Sequence, residues 1–302
     1  GGGGGGGNVG RVLITGATGY IGSHLSRSLL DDGHEVYALV RSPVHGEYIE
    51  DLEGRIKLLP YDGSYQSVLA AVKTARPELV YHLAAHYKGA PGEVEISRLV
   101  GANIVFGAYL LEAMAVCGVT ALVYASTVTT HFRGEGYSPL SLYAATKQAF
   151  SDLLVYYTDA GLLRAVTLDL ADTYGPGDHR AKILNLAWRA AQAGETLLLS
   201  DGGQEYDVVY IDDVVRAFRQ AGWLILTQPW KNERFQLSSG SPRSLRETVE
   251  LMLKVNNLSL DAVWGGRAAP EREMREVKRI YPELPGWQPQ VSLQEGLRRL
   301  GI

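Results

Sequence analysis

From Asn8 onward, short apolar runs alternate with stretches whose apolar residues return every three or four positions. The runs are RVLITG (11–16), EVYALV (35–40), ELVYHLAA (78–85), ALVYAS (121–126) and RAVTLDL (164–170). Between them the helical period predicts helices over 19–32, 65–74 and 103–117, and another containing Tyr143. Residues 12–14 and 36–40 are apolar throughout, the pattern of strands covered by helices on both faces. The rhythm predicts an α/β fold: a doubly wound parallel sheet (Rossmann) of six or seven strands, with a smaller C-terminal substrate-binding lobe. After TYGPGDHR (173–180) the alternation loosens into a helix over 181–194, the stretch LLLSDGGQEYDVVYIDD (197–213) and a tail rich in Pro, Trp and Arg. Residues 8–174 with 206–240 are expected to form the sheet domain, and 175–205 with 241–302 the second lobe. No internal repeat is visible.

Composition narrows the partners more than it changes the fold. The 302 residues are 46% hydrophobic and carry a formal charge of -4, so the chain lacks the basic footprint that neutralises nucleic-acid phosphates. Small molecules are the expected partners, with no nucleic acid and no membrane. Cys117 is the single cysteine and can form no internal disulfide. No uninterrupted apolar run approaches the roughly 18 residues that span a bilayer, and no signal peptide is seen. A reducing cytoplasm is the expected compartment. The seven opening glycines cannot bury apolar surface and are expected to lie outside the fold.

The first βα junction reads TGATGYIG, with Gly16, Gly19 and Gly22 at G-x-x-G-x-x-G spacing and Thr18, Tyr20 and Ile21 between and after them. Gly16 suits a sharp turn, Gly19 a close backbone approach to a pyrophosphate, and Gly22 tight packing of helix on strand, with the helix start facing the anion. A strand before and a helix after make this a dinucleotide loop rather than a bare glycine spacing. The end of the second strand chooses the cofactor. An acid there accepts from the ribose 2′-hydroxyl of NAD, whereas this chain offers Arg41 and Ser42, and a guanidinium fork matches a 2′-phosphate. NADP(H) is the expected cofactor. Asp62, with Gly63 beside it after the third strand, is placed to accept from the adenine amino group.

Tyr143 and Lys147 stand four apart in SLYAATKQAF, just over one helical turn, so their side chains project from one face. Alone, the pair reads more readily as an exposed Tyr beside a solvated Lys. After a cofactor loop and a strand ending YAST it becomes an acid-base constellation. A phenol has a pKa near ~10, too high for proton exchange at neutral pH, and a neighbouring ammonium lowers such a value by about 1 to 3 units. Lys147 also suits the nicotinamide ribose. Thr127 would hydrogen-bond the substrate oxygen that Tyr143 protonates.

The glycine loop, HLAA at 82–85, Asn103 opening its helix, YAST, YAATK, DTYGPGD, GGQEYDVVYIDD and the tail GWQPQVSLQEGL recur in one order. With them the chain, from residue 11 to its end, resembles the extended short-chain dehydrogenase/reductase family, which holds nucleotide-sugar epimerases, dehydratases and 4-ketoreductases. The resemblance implies Thr127, Tyr143 and Lys147 as the catalytic triad. It implies further cofactor contacts at Leu83, Ala84, Ala85 and Asn103, and a nucleotide-sugar substrate. His86 and Tyr87 would line the sugar pocket. Arg180, Asn185, Arg267 and Arg272 are candidate diphosphate donors, though each also reads as an ordinary surface residue. Many relatives carry Arg where this chain has Tyr206. Surplus apolar residues in VFGAYLLEAM and FSDLLVYY, together with the family habit, imply a homodimer.

Departures from the family pattern narrow the chemistry. The 4,6-dehydratases follow the catalytic Thr with an Asp-Glu pair, and sugar-acid decarboxylases carry Glu two positions after the hydroxyl residue. Here Val128 and Thr129 follow Thr127. Epimerases generally hold NAD through an acid where Arg41 stands. What remains is reduction of the C4 ketone of a nucleotide-linked 4-keto-6-deoxyhexose by NADPH, and VWGGR (263–267) looks like the 4-ketoreductase subgroup. The alternatives are a 4-epimerase with retained NAD and a non-catalytic NADP-binding scaffold.

Overall fold

A computed structural model describes residues 10–41, 46–87 and 92–301. The strands are β1 (Arg11–Thr15), β2 (Glu35–Arg41), β3 (Lys57–Tyr61), β4 (Leu79–His82), β5 (Ala121–Thr127), β6 (Arg164–Leu170), β7 (Asp172–Tyr174), β8 (Thr196–Leu199), β9 (Glu205–Tyr206), β10 (Val208–Tyr210), β11 (Asn232–Gln236), β12 (Arg243–Ser244) and β13 (Asp261–Trp264). The helices are α1 (Tyr20–Asp31), α2 (Tyr65–Ala75), α3 (Glu93–Val100), α4 (Phe106–Cys117), α5 (Leu142–Asp159), α6 (Ile183–Ala193), α7 (Ile211–Thr227), α8 (Leu245–Val255) and α9 (Leu293–Arg298).

Seven strands form a parallel sheet of order β11-β6-β5-β4-β1-β2-β3. The order reverses beside β1, the topological switch point at which open α/β sheets place their ligands. β1 sits between β2 and β4, with Ile14 in register with Ala38 on one side and Tyr81 on the other. Leu13, Ile14, Ala38 and Val80 are fully buried, which is why these runs are apolar on both faces. The sheet and the helices flanking it are the doubly wound fold that the sequence predicts.

The chain divides into two compact units. The first comprises residues 1–125, 146–167 and 218–233. Its core packs Leu13, Val80, Leu110, Met114, Leu122 and Phe150. The helix expected to begin at Asn103 starts ten residues earlier: α3 runs into α4 through a π-helical turn, Gly101–Val105, so Asn103 lies within a continuous helix instead of opening one. That 25-residue helix, Glu93–Cys117, is long and apolar enough to cross a membrane by composition. Here it is a core helix, with Leu110, Leu111, Ala113 and Met114 fully buried.

The second unit comprises residues 126–145, 168–217 and 234–302, and so takes in 126–145, 168–174, 206–217 and 234–240, which the sequence groups with the cofactor domain. Three small pairings organise it: β7 with β10, β8 with β13, and β9 with β12. Asp213, in the first turn of α7, is buried, and its carboxylate accepts from the backbone N–H of Gln290 and Val291 at 3.0 Å each. The Trp287 indole donates to the Asp213 carbonyl at 2.8 Å. These bonds fasten the tail to α7.

Candidate active site

Two glycines of the first junction, Gly16 and Gly22, are required by contact. Gly16 has φ +77, in the left-handed region, and a Cβ there would lie 2.7 Å from the backbone of Leu83 and Ala84. A Cβ on Gly22 would lie 2.0 Å from the Gly16 carbonyl oxygen, and one on Gly19 3.3 Å from it. The Gly19 N–H donates to Gly16 O at 3.0 Å and closes the turn. At the start of α1, neither a capping side chain nor an acid in the first turn answers the helix N–H groups. Such a start suits an anion, and this cradle fits a dinucleotide pyrophosphate. Thr18 lines a cavity of about 410 Å³ with Gly46, Glu47 and Tyr48.

Arg41 ends β2, exposed, with its guanidinium 4.8 Å over the Tyr61 ring of the adjacent strand. Ser42 lies outside the described residues. Asp62 accepts from the Ser64 N–H at 2.9 Å and the Ser64 hydroxyl at 2.5 Å, bonds that hold its carboxyl below the usual range. Gly63 follows with φ +96. Leu83, Ala84 and Ala85 follow β4, and their path is set by Thr15, whose hydroxyl oxygen accepts the Ala84 N–H at 3.1 Å and meets His82 Nδ1 at 2.6 Å. Burial, reinforced by the Lys147 cation, pushes His82 down to about 3, so its imidazole is neutral.

Asn103 is buried and bonded on three sides. It accepts from the His86 N–H at 2.8 Å and donates to the His86 carbonyl at 3.1 Å and to Thr146 Oγ1 at 3.0 Å. The π turn that carries it ties the segment after β4 to α5, and such turns recur at functional sites. His86 also meets Glu95 at 2.9 Å, while Tyr87 is exposed.

Tyr143 and Lys147 stand one turn apart in the opening of α5. Lys147 is buried, its Nζ 4.6 Å over the Tyr124 ring, and the Tyr124 hydroxyl donates to the Lys147 carbonyl at 3.1 Å. Sequence reading passes over Tyr124, although its place in YAST, three residues before Thr127, puts it on the same strand. Thr127 ends β5 and caps a single 3₁₀ turn, Val128–Thr130.

Three of the four expected diphosphate donors have partners within the chain. Arg180 grips Asp178 with two bonds of 2.9 Å and donates to the Thr173 carbonyl at 3.2 Å. Burial opposes charge on Asp178, yet Arg180 holds its carboxyl below the usual range. Asn185 donates to the Arg180 carbonyl at 3.0 Å. Arg272 donates to the carbonyls of Pro139 at 2.7 Å and Leu140 at 3.2 Å and lies 4.4 Å over the Phe132 ring. Adjacent carboxylates and carbonyls satisfy these cations inside the chain, which a count of arginines does not show. Arg267 is exposed. Tyr206 is half-buried, its phenol pushed up by desolvation.

Comparison with known proteins bears on this arrangement. A CDP-abequose synthase of Yersinia pseudotuberculosis is 28% identical, covering 88% of this chain and 94% of its own. A UDP-glucose 4-epimerase of Mycolicibacterium smegmatis is 29% identical, covering 96% of each. Among solved structures, MoeE5 in complex with UDP-glucose and NAD superposes with a TM-score of 0.83 at 26% identity, over 95% of this chain and 96% of that one. The profile of the NAD dependent epimerase/dehydratase family matches residues 12–235, and the chain, with its glycine cradle and its Tyr143–Lys147 helix, belongs to that family.

Proposed function

We propose that the protein reduces the C4 ketone of a nucleotide-linked 4-keto-6-deoxyhexose with NADPH. The observation that carries this reading is the pair of residues directly after Thr127. Val128 is apolar and Thr129 turns its hydroxyl back onto Thr127, so neither position offers the carboxylate that elimination or decarboxylation needs. Similarity to CDP-abequose synthases, at 28% and 23% identity, supports a deoxysugar substrate. Arg41 supports NADP(H), since it ends the second strand, where dinucleotide folds carry the residue that meets the adenosine ribose.

NADPH, when bound, supplies the hydride. The glycine cradle of residues 16–22 would hold its pyrophosphate, and Lys147 its nicotinamide ribose. Tyr143 donates its proton to the substrate oxygen as that oxygen gains charge, and Thr127 gives the same oxygen a hydrogen bond. The Lys147 ammonium, one turn along α5, stabilises the phenolate left behind. The protein contributes orientation and charge placement.

A second reading is a 4-epimerase with retained NAD, favoured by the 29% identity to a UDP-glucose 4-epimerase. Incubation of the purified protein with CDP-, UDP- and dTDP-4-keto-6-deoxyglucose, with NADPH oxidation followed optically, separates the two. Reduction of at least one ketone with stoichiometric NADPH loss is expected. Interconversion of UDP-hexoses without net cofactor oxidation would replace this reading by the second.

A further inference from the structure

Thr127 Oγ1 has two partners among the described residues, and both belong to Thr129. It accepts the Thr129 N–H at 3.2 Å, and the two hydroxyl oxygens are 2.8 Å apart. The Leu140 N–H holds the turn from outside by donating to the Thr129 carbonyl at 2.9 Å, and the Thr130 hydroxyl closes it from within by donating to the Thr127 carbonyl at 3.1 Å. These bonds hold the backbone of residues 127–130 in place, so the Thr129 hydroxyl is kept within reach of Thr127.

A hydroxyl has one proton and two acceptor sites. If Thr127 gave its proton to Thr129, it would have none for a substrate. If Thr129 gives its proton to Thr127, both acceptor sites of Thr127 are filled, by the Thr129 N–H and O–H, and its own proton must find an acceptor elsewhere. A ketone oxygen accepts and cannot donate, so only the second arrangement leaves Thr127 a proton for it. The chain Thr129 O–H to Thr127 O–H to substrate oxygen then polarises along its length, each bond strengthening the next as the oxygen gains charge.

We propose that Thr129 is a positioning residue that commits Thr127 to donate its proton to the substrate oxygen. The inference rests on Thr127 being the hydroxyl that meets that oxygen. No bond to carbon forms or breaks at Thr129, and its own proton stays on its oxygen.

Three variants, Thr129→Val, Thr129→Ser and Thr127→Val, assayed with the CDP-, UDP- and dTDP-linked 4-keto-6-deoxyglucoses, provide the test. Val keeps the branched shape and the backbone N–H while removing the hydroxyl. Thr129→Val is expected to lower kcat roughly 3-fold to 10-fold, the worth of one hydrogen bond, with KM for NADPH unchanged. Thr129→Ser should recover activity to within about 2-fold of the parent, and Thr127→Val should lose more than Thr129→Val. In a Thr127→Val background, adding Thr129→Val should cost nothing further, because Thr129 acts only through Thr127. A merely structural Thr129 would give additive losses, and that result overturns the proposal, as does full kcat in Thr129→Val alongside a crippled Thr127→Val. Full kcat in Thr127→Val would instead remove the role assigned to Thr127. A neutron map of the perdeuterated protein with NADPH reads the proton order whether or not any of these sugars is reduced. A deuteron on the Thr129 oxygen, directed at Thr127, is expected; one on Thr127 directed at Thr129 overturns the proposal.

Discussion

Lys147 is an ammonium with 2% of its surface exposed, and its placement links three side chains. It lies over Tyr124, stands one turn from Tyr143, and adds its repulsion to the burial that keeps His82 neutral. Tyr143→Phe removes the hydroxyl proposed as the proton donor and should lower kcat roughly 100-fold to 10,000-fold with NADPH affinity almost unchanged. Lys147→Ala should lower both turnover and NADPH affinity, measured by kinetics and by fluorescence titration. His82 makes a separate prediction about pH. Its folded value, about 3, lies below the ordinary 6.5, so the unfolded chain binds a proton that the folded one refuses between those values. Stability from this residue is complete above about pH 6.5 and is lost as pH falls toward 3, at up to about 1.4 kcal/mol per pH unit. Urea midpoints at pH 5.0 and 6.5 should differ more in the parent than in His82→Asn; equal differences would mean that His82 titrates normally. Arg41→Asp should collapse or invert a preference for NADPH over NADH of roughly 10-fold to 150-fold, read as kcat/KM with both cofactors. A parent that prefers NADH would make Arg41 an ordinary strand-end residue stacked on Tyr61.

At the scale of elements, the alternation of strand and helix was legible because β1, β2 and β4 are buried on both faces, and burial writes itself as unbroken apolar runs. The glycine loop was legible for a similar reason, since Gly16 and Gly22 stand where a Cβ has no room. The π turn at Gly101–Val105 was not, because it differs from α-helix by one hydrogen-bond step and leaves the apolar period intact. Nor did the sequence reveal how Arg180 and Arg272 are used. Asp178 sits two residues from Arg180, a spacing that brings charges together only in a particular turn, and the partners of Arg272 are carbonyls more than 130 residues away. Arg272 makes the segment before α5 depend on the C-terminal region. Arg272→Ala should lower stability by roughly 1 to 2 kcal/mol and reduce kcat, since residues 139–140 lead directly to Tyr143. Arg272→Lys should not restore either, because an ammonium lacks the planar fork that meets two carbonyls and stacks on Phe132. Recovery in the Lys variant, by chemical denaturation and steady-state rates, would reduce the contact to simple charge.

At the scale of the molecule, each unit is assembled from separated pieces of chain, so neither corresponds to one contiguous stretch. The first unit exposes Val105 and Val116 on the long helix and Val155 and Tyr156 on α5, more apolar surface than one buried face of each helix requires. The Tyr157 hydroxyl joins the two helices by donating to Glu112 at 2.6 Å. A homodimer is the expected consequence: light scattering at micromolar concentration should give twice the 32.9 kDa chain mass, and Val155→Glu should lower it toward one. A single-chain mass for the parent would reject the dimer. Asp213 carries a last consequence, in the order of synthesis. Its buried carboxylate is met by Arg216 on α7 itself and by the N–H groups of Gln290 and Val291, more than 70 residues downstream. A ribosome makes α7 long before those N–H groups exist, and until they emerge Asp213 keeps Arg216 but lacks two of its donors, a cost of about 1 to 3 kcal/mol if the second unit folded around it. Folding of that unit is therefore tied to completion of the chain, and a nascent protein halted before residue 290 keeps its α7 start in water.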